Sequence, residues 1–479
     1  MATKKDLVEA YSFSRRRLVT AFVSGAPGGR EVEPSRPGRT VVGGLALAVL
    51  LVAGAAIAGV FDKRTTIDWE EPGLVIDDDT GALYVILADD DVPGSDDPDL
   101  RSVVNVTSAQ LILGDLTPID APSEDIADRS KGPAIGIVDA PATVPETSAL
   151  INQGWTACTG TDHGVRVDVA ESPAVTLAPA AGLVVRNGRD RYLIAEGPTT
   201  ADGAPQRAYS YRFPRDASGL YDALGVVARH DAVEVPDDWL RLFPEGGKLD
   251  ASSFDVDGIG ERAPASLEEL PRKARVGDYF VEGDQPLMVV ADGYARLDEF
   301  SMAVLAHSEF GRFRPQEIQP QADVVEADSR AEPYTAATWP RVLPEGSRYL
   351  TDQEVCAVQQ ATAEEQPGVT VGLLPEERAS AQETVTGDPP DVNVEPGHGA
   401  MVWSGGWHSE QGGSPVMVDD RGIFYPLRMD GVTVDNLGYG SLPETVVPDT
   451  WVELFDEGVE LSREDALCPP LTATIRSCE

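Results

Sequence analysis

Val41 to Phe61 reads VVGGLALAVLLVAGAAIAGVF, twenty-one consecutive residues without a charge, an amide or a hydroxyl. Rising about 1.5 Å per residue, such a helix crosses a hydrocarbon core of about 30 Å. No other stretch of the chain has that length and composition. The 40 residues before it carry eight Lys or Arg against four Asp or Glu, and the chain turns acidic soon after Asp62-Lys63-Arg64. Basic flanks stay in the cytoplasm. The expected topology is therefore a single-pass cell (inner) membrane protein with its N-terminus cytoplasmic and residues 62–479 extracytoplasmic. Two cleaved alternatives compete, because Ala56-Ile57-Ala58 resembles a signal-peptidase site and Ser14-Arg15-Arg16-Arg17-Leu18 resembles a twin-arginine signal. A cleaved signal has an apolar region of about 7 to 15 residues directly behind its basic segment. Here the run is longer and begins more than twenty residues beyond the arginines, which favours an uncleaved anchor.

The formal charge of −42 lies almost wholly outside, since residues 1–40 contribute +4 and leave about −46 beyond them. A field of that sign argues against nucleic acid and anionic lipid as partners of the exterior part. A hydrophobic content of 42 % is that of a folded protein. All four cysteines, Cys158, Cys356, Cys468 and Cys478, are on the exterior side, where disulfides persist. Three pairings are open, and Cys158 with Cys356 plus Cys468 with Cys478 is the favoured set. In the chain-entropy model the long loop is worth up to about 5 kcal/mol and the short one about 3. No CxxC spacing supports a metal or redox motif.

Ahead of the anchor, residues 5–24 place Leu7, Tyr11, Leu18 and Phe22 on one face of a helix with Arg15, Arg16 and Arg17 between them. This amphipathic helix can lie on lipid or dock on a cytoplasmic partner, with Tyr11, Phe13, Arg15, Arg16 and Arg17 as the docking set. Residues 25–40 are a Gly/Pro/Arg-rich tether.

Beyond the anchor, four stretches read as hairpins: LVIDDDTGALYVIL from Leu74, LVVRNGRDRYLI from Leu183, LMVVADGYARL from Leu287 and VMVDDRGIFYPL from Val416. Asn187-Gly188 and Asp292-Gly293 are type I′ turn signals. A sharper repeat joins two of them. Pro236-Asp-Asp-Trp239-Leu-Arg-Leu-Phe243-Pro-Glu-Gly-Gly-Lys-Leu249 matches Pro448-Asp-Thr-Trp451-Val-Glu-Leu-Phe455-Asp-Glu-Gly-Val-Glu-Leu461 at eight of fourteen positions, each copy preceded by a Leu-Gly pair. Pro at a helix start and Gly at its stop bound a short helix. Trp239, Phe243, Trp451 and Phe455 are expected in the core of the repeats.

The expected fold class is α+β, mostly β: one transmembrane helix, then an elongated body of four hairpin/short-helix repeats around a central β-rich domain. Its segments are 1–40 (cytoplasmic helix and tether), 41–61 (anchor), 66–130 (repeat 1), 131–180 (central), 181–252 (repeat 2), 270–312 (repeat 3), 313–400 (central and linkers) and 401–479 (repeat 4 and tail). Within these, Pro315–Pro344 and Ala361–Gly397 read as linkers or irregular insertions. The Asp clusters 77–79, 89–91 and 96–99 lack the EF-hand ligand spacing and read as solvated turns.

Tyr11-Ser12-Phe13 with Arg15-Arg16, the lone anchor, Val104-Asn105-Val106-Thr107-Ser108-Ala109-Gln110-Leu111-Ile112-Leu113-Gly114, Ile135-Gly136-Ile137, Ala140-Pro141, and Trp155 with Cys158 resemble, in sequence and order, the EccB family. These are membrane-core components of actinobacterial type VII (ESX) secretion systems. The resemblance implies four repeat modules around a central domain, a disulfide mapping onto Cys158 and Cys356, exterior self-association, and partners of the EccC (motor ATPase), EccD (channel) and EccE types. The extreme acidity and the additional Cys468 and Cys478 depart from the pattern.

ATP hydrolysis has been attributed to the family, yet no GxxxxGK[ST] loop is present. Glu245-Gly246-Gly247-Lys248-Leu249 comes nearest and lacks both the hydroxyl and the spacing. The histidines show no HExxH and there is no GxSxG elbow. No catalytic, cofactor or metal residue is assigned. Trp403-Ser404-Gly405-Gly406-Trp407-His408 suggests either a sugar-stacking platform or a turn with packed aromatics, the second being preferred. The functional reading is a structural subunit of a protein-export machine. The alternatives are a membrane-anchored cell-wall (peptidoglycan or glycan) binding module and an exterior ATP hydrolase.

Overall fold

The computed structural model describes residues 4–24, 68–92, 98–159, 164–198, 207–226, 232–322, 324, 332–335, 338–346, 354–363, 365–374 and 389–470. The anchor Val41–Phe61, Asp96, Asp97 and Cys478 lie outside the described residues. Among those described, no helix is long and apolar enough to cross a membrane. The chain divides into two units, 1–67 and 68–479. The first contains the helix Lys4–Ser24. The second is mostly β with short helices, arranged in five sheets.

Four of the sheets are built in one order. In the first module, Gly73–Asp77, Leu83–Ile86 and Leu100–Ser102 form an antiparallel meander. The helix Val106–Leu113 then crosses over so that Ile119–Ala121 returns parallel to the first strand, because a parallel return needs a crossover. The second module repeats this with Ala181–Asn187, Asp190–Glu196, Ala208–Arg212, helix Ser218–Ala223 and Val233–Glu234. The fourth does so with Ala400–Gly405, Ser414–Val418, Ile423–Pro426, helix Val432–Asn436 and Val446–Pro448. In the third, Tyr279–Glu282, Gln285–Val290, Gly293–Arg296 and helix Glu299–Ala306 are followed by a fourth strand reduced to a parallel bridge of Glu317 to Tyr279.

The turn signals of the sequence fall at different places in this unit. Asp77–Gly81 and Asn187-Gly188 follow the first strand of their modules, whereas Asp292-Gly293 and Asp419–Gly422 follow the second. Neither expected type I′ pair occupies the two central turn positions. Asn187 pairs with Asp190, so Gly188-Arg189 make that turn, and Val290 pairs with Gly293, so Ala291-Asp292 make the other. Asn187 is held in the strand because its Nδ2 donates to Val235 O at 3.2 Å and to Asp237 Oδ1 at 2.7 Å.

The fifth sheet is the centre, ordered Asp391–Val394, Arg166–Val169, Thr156–Thr159, Glu354–Gln360, Gly368–Leu374, Thr176–Leu177. It consists of two hairpins, one between modules 1 and 2 and one between modules 3 and 4. The strand that follows each hairpin crosses to the outer edge of the other: Thr176–Leu177 pairs with Gly368–Leu374, and Asp391–Val394 with Arg166–Val169. Modules 2 and 4 share one core with this sheet. Module 1 packs on module 4 through Leu111, Ile112, Leu437 and Tyr439, and module 3 on module 2 through Tyr211, Leu220, Met288 and Phe300. The segment read as a Pro315–Pro344 linker is packed where it is described: Tyr334 and Trp339 are buried in the core shared by modules 2 and 3. Burial of two large rings outweighs the turn-forming bias of the prolines around them.

Candidate functional site

The duplicated segment forms the hub. Pro236 precedes the helix Asp237–Leu240 and Pro448 precedes Asp449–Val452. In each, a proline fixes φ and an aspartate meets the positive end of the helix. Trp239 and Trp451 are fully buried, and Phe243 and Phe455 are buried beside them. Trp239 Nε1 donates to Ala157 O at 2.9 Å, seating module 2 on the central sheet. Its ring lies 5.0 Å from Phe243. On the module 4 side, Phe455 meets Trp155 of the central domain edge-on at 5.3 Å.

Arg241 and Glu453 occupy the same place in the two copies, and they form an ion pair at 2.8 Å. Equivalent positions touch in this way at a two-fold axis. Both side chains are half exposed, so the pair is worth at most about 1 kcal/mol and marks the axis more than it holds it. Arg241 stays cationic, its pKa raised first by the hydrogen bond to Asp238 and then by the charge of Glu453. Cys158 and Cys356 lie directly opposite one another on the two innermost strands of the central sheet and form the disulfide. Both are buried. Cys468 is also disulfide-bonded, and its carbonyl accepts from Gly136 N at 2.9 Å, tying the end of the C-terminal helix to the segment that follows module 1.

Gly246, within Glu245–Leu249, serves packing. Gly246 N donates to Ser210 O, and a Cβ at Gly246 would stand 2.2 Å from the Tyr211 ring. The second copy is built alike: Gly458 N donates to Phe424 O, and its Cβ would stand 2.5 Å from the Tyr425 ring. Both phenols stay protonated, Tyr211 raised by burial and Tyr425 pushed up to about 12 by burial and then by Asp419. Gly246→Ala and Gly458→Ala are each expected to destabilise the exterior body by about 1–3 kcal/mol through overpacking. Gly406→Ala, whose Cβ would meet nothing nearer than Ser409 Oγ at 3.7 Å, should be neutral. Thermal unfolding of the three variants checks this, and equal melting temperatures would refute it.

Trp403 lies in the strand Ala400–Gly405 and Trp407 in the turn that follows it. Trp403 is buried, while half-buried Trp407 lies under the Arg207 guanidinium at 5.4 Å. Buried Arg207 donates to Pro367 O at 3.1 and 2.7 Å and to Trp407 O at 2.8 Å, joining module 2, the central hairpin and module 4. Trp69, also half-buried, is covered by Arg129 at 4.6 Å. The remaining tryptophans, 155, 239, 339 and 451, are fully buried. Five of the seven tryptophans are thus buried, and each of the two half-buried ones has an arginine over its ring. Among the described residues no cluster of His, Cys, Asp or Glu has metal-holding geometry.

In the N-terminal unit, Tyr11, Phe13, Arg15 and Arg16 are exposed on the helix Lys4–Ser24. Tyr11 and Leu18 lie close to one face, since seven residues make nearly two turns, and exposed Val8 and Val19 stand together to one side of them. Phe13 stands about 200° from Tyr11 and belongs to the opposite face. The sequence reading missed Val8 and Val19, although their spacing to Tyr11 and Leu18 carried the signal.

Comparison with known proteins agrees with this architecture. The family described as "Type VII secretion system ESX-1, transport TM domain B" matches residues 1–470. A protein of Mycolicibacterium smegmatis (strain MKD8) named "ESX-1 secretion system ATPase EccB1" is 27 % identical over 299 residues, 59 % of this chain and 57 % of that protein. Its namesake in Mycobacterium tuberculosis (strain CDC 1551 / Oshkosh) is 26 % identical over 316 residues, 63 % of this chain and 61 % of that protein. The chain thus matches about three-fifths of the length of these curated relatives. Among solved structures, a chain of an intact ESX-5 inner membrane complex shares the fold with a TM-score of 0.57 and 22 % identity, covering 100 % of this chain and 98 % of that one. An EccB3 dimer from the ESX-3 core complex gives 0.58 and 20 %, covering 83 % of this chain and 100 % of that one.

Proposed function

Because this chain belongs to the EccB family of type VII (ESX) secretion systems, we propose that it is a structural, membrane-anchored subunit of a secretion core complex. The observation that carries the reading is the family match over residues 1–470. In this reading Val41–Phe61 crosses the inner membrane once and residues 62–479 stand outside as four repeats around the disulfide-tied central sheet. The helix Lys4–Ser24 docks on the cytoplasmic side through Tyr11, Phe13, Arg15, Arg16 and Arg17, which are spread around it and so offer more than one face. The partners are subunits of the EccC, EccD and EccE types, and the exterior body pairs with a second copy, just as EccB3 forms a dimer in the ESX-3 core complex.

The relatives are named as ATPases, which favours ATP hydrolysis as a second reading. The packing role of Gly246 and Gly458 speaks against a phosphate loop at the one segment that resembles one. The covered tryptophans likewise weaken the wall-binding reading.

Affinity purification of the full chain in mild detergent separates these readings. The scaffold requires co-isolation of a motor ATPase and a multi-pass membrane protein. Retention on purified cell wall without partners would replace it with the wall module, and turnover of ATP by the purified protein that survives removal of contaminating enzymes would replace it with the hydrolase.

A further inference from the structure

The two outer modules are attached to the hub in different ways. Module 1 is bonded to module 4 directly: Gln110 Nε2 donates to Leu437 O at 3.1 Å, Asn436 Nδ2 to Leu111 O at 2.6 Å, and Arg463 grips Asp91 at 2.6 and 2.7 Å. Module 3 has its own three-stranded sheet, unfused to that of module 2. Apolar contact joins the two, with Tyr211 of module 2 lying 6.2 Å from Phe300 of module 3. A strap, residues 332–335 and 338–346, then spans both.

The strap is stitched to module 2 at both ends. Thr335 N donates to Ser253 O at 2.8 Å, Asp255 N to Pro333 O at 3.1 Å, and Tyr211 OH to Thr338 O. Glu345-Gly346 adds a short parallel strand beside Ala181-Gly182. Its middle grips module 3. Trp339 is wedged between Tyr334 at 5.4 Å, Phe254 at 5.6 Å and Phe300 at 5.9 Å. Tyr334 OH donates to Asp298 Oδ2 at 2.7 Å, and Arg341 donates to that carboxylate, to Tyr334 OH and to Glu332. Asp298 is the N-cap of Glu299–Ala306, its other oxygen accepting from Ser301 N. One carboxylate therefore orients both the strap and the principal helix of module 3.

We propose that this strap is a latch, hinged on module 2 and closed on Asp298, and that it sets the angle of module 3 while module 1 is fixed without one. The inference concerns a movable part within the exterior body and does not depend on which partners that body has. Opening the latch frees module 3 to turn as a unit about its apolar contact with module 2, because its own sheet and helix remain intact.

The test uses the full chain in detergent, with spin labels on paired engineered cysteines. The free-cysteine background is clear among the described residues. Asp284→Cys with Asp420→Cys reads module 3 against module 4, and Asp120→Cys with Asp420→Cys reads module 1 against module 4; all three positions are exposed. Tyr334→Phe combined with Arg341→Gln loosens the grip on Asp298 and keeps the Trp339 wedge, and Trp339→Ala removes the wedge. The expected result is a distance distribution at least about twofold broader for the first label pair and unchanged for the second. Should Trp339→Ala fail to fold, the double variant decides alone. No broadening for the first pair, or equal broadening for both, overturns the latch.

Discussion

Replacing Cys158 and Cys356 together by alanine should lower the stability of the exterior body by up to about 5 kcal/mol, the loop-closure value for so long a loop. The two residues are 198 apart in sequence, and the loop between them contains modules 2 and 3 entire. Cutting the bond returns that loop's freedom to the unfolded chain. The bond also lies where the two central hairpins meet, so its loss loosens the seam on which Trp239 and Phe455 dock. Alanine is the informative substitution, because serine would bury a hydroxyl and add a desolvation cost of its own. Denaturant unfolding followed by tryptophan fluorescence should show the midpoint fall in the double variant, and reductant should then have little further effect through this bond. A midpoint that does not move would mean that the hairpins hold the halves together without the covalent link.

The duplicated hub was readable because its constraints are side-chain specific. A tryptophan must fill the central seam, a phenylalanine must pack beside it, and a glycine must pass under a tyrosine ring at both 246 and 458. Each requirement preserves residue identity between copies. The crossover helices show the opposite case. Asn105 accepts from Ser108 N at 2.8 Å, Asp298 from Ser301 N at 2.7 Å and Asp430 from Thr433 N at 2.8 Å, and all three hydroxyl residues are fully buried. The same three-residue bond recurs in modules 1, 3 and 4, from the N-cap in the first two and from one residue ahead of the Gly431 N-cap in the third, but it needs only a short acceptor placed three residues before a backbone N–H. That pattern is too sparse to stand out, so Asn105–Gly114 read as an isolated block and not as one copy of a repeated helix.

Hairpins misled in a related way. Asp77 accepts from Asp79 N and Thr80 N, and Asp419 from Arg421 N and Ile423 N. A carboxylate that ties down its own turn gives similar sequences wherever a turn is needed. The first of these turns follows strand one of its module and the second follows strand two, so local likeness did not mark equivalent places. The N-terminal helix Lys4–Ser24 was legible as a helix through its periodicity. Its residues were chosen by type, however, and that put Tyr11 and Phe13 together although the helix sends them to opposite faces.

The hub makes a further claim that the two tryptophans can test against each other. Trp239→Ala and Trp451→Ala should each cost about 3–5 kcal/mol, since each empties a fully buried site of its largest side chain. Their copies of the repeat meet at Arg241 and Glu453, so the pair should couple, and the double variant should depart from the sum of the singles by about 0.5 kcal/mol or more. Phenylalanine separates the ring from its N–H. Trp239 Nε1 is bonded to Ala157 O at 2.9 Å, whereas Trp451 Nε1 is buried with no hydrogen-bond partner among the described residues. Trp239→Phe leaves a buried carbonyl with one partner fewer, and Trp451→Phe removes an unsatisfied donor. The first should therefore be the more destabilising by about 1–3 kcal/mol. Equal losses for the two phenylalanine variants would show that the second copy has found an equivalent bond, and that the two halves of the hub are energetically alike.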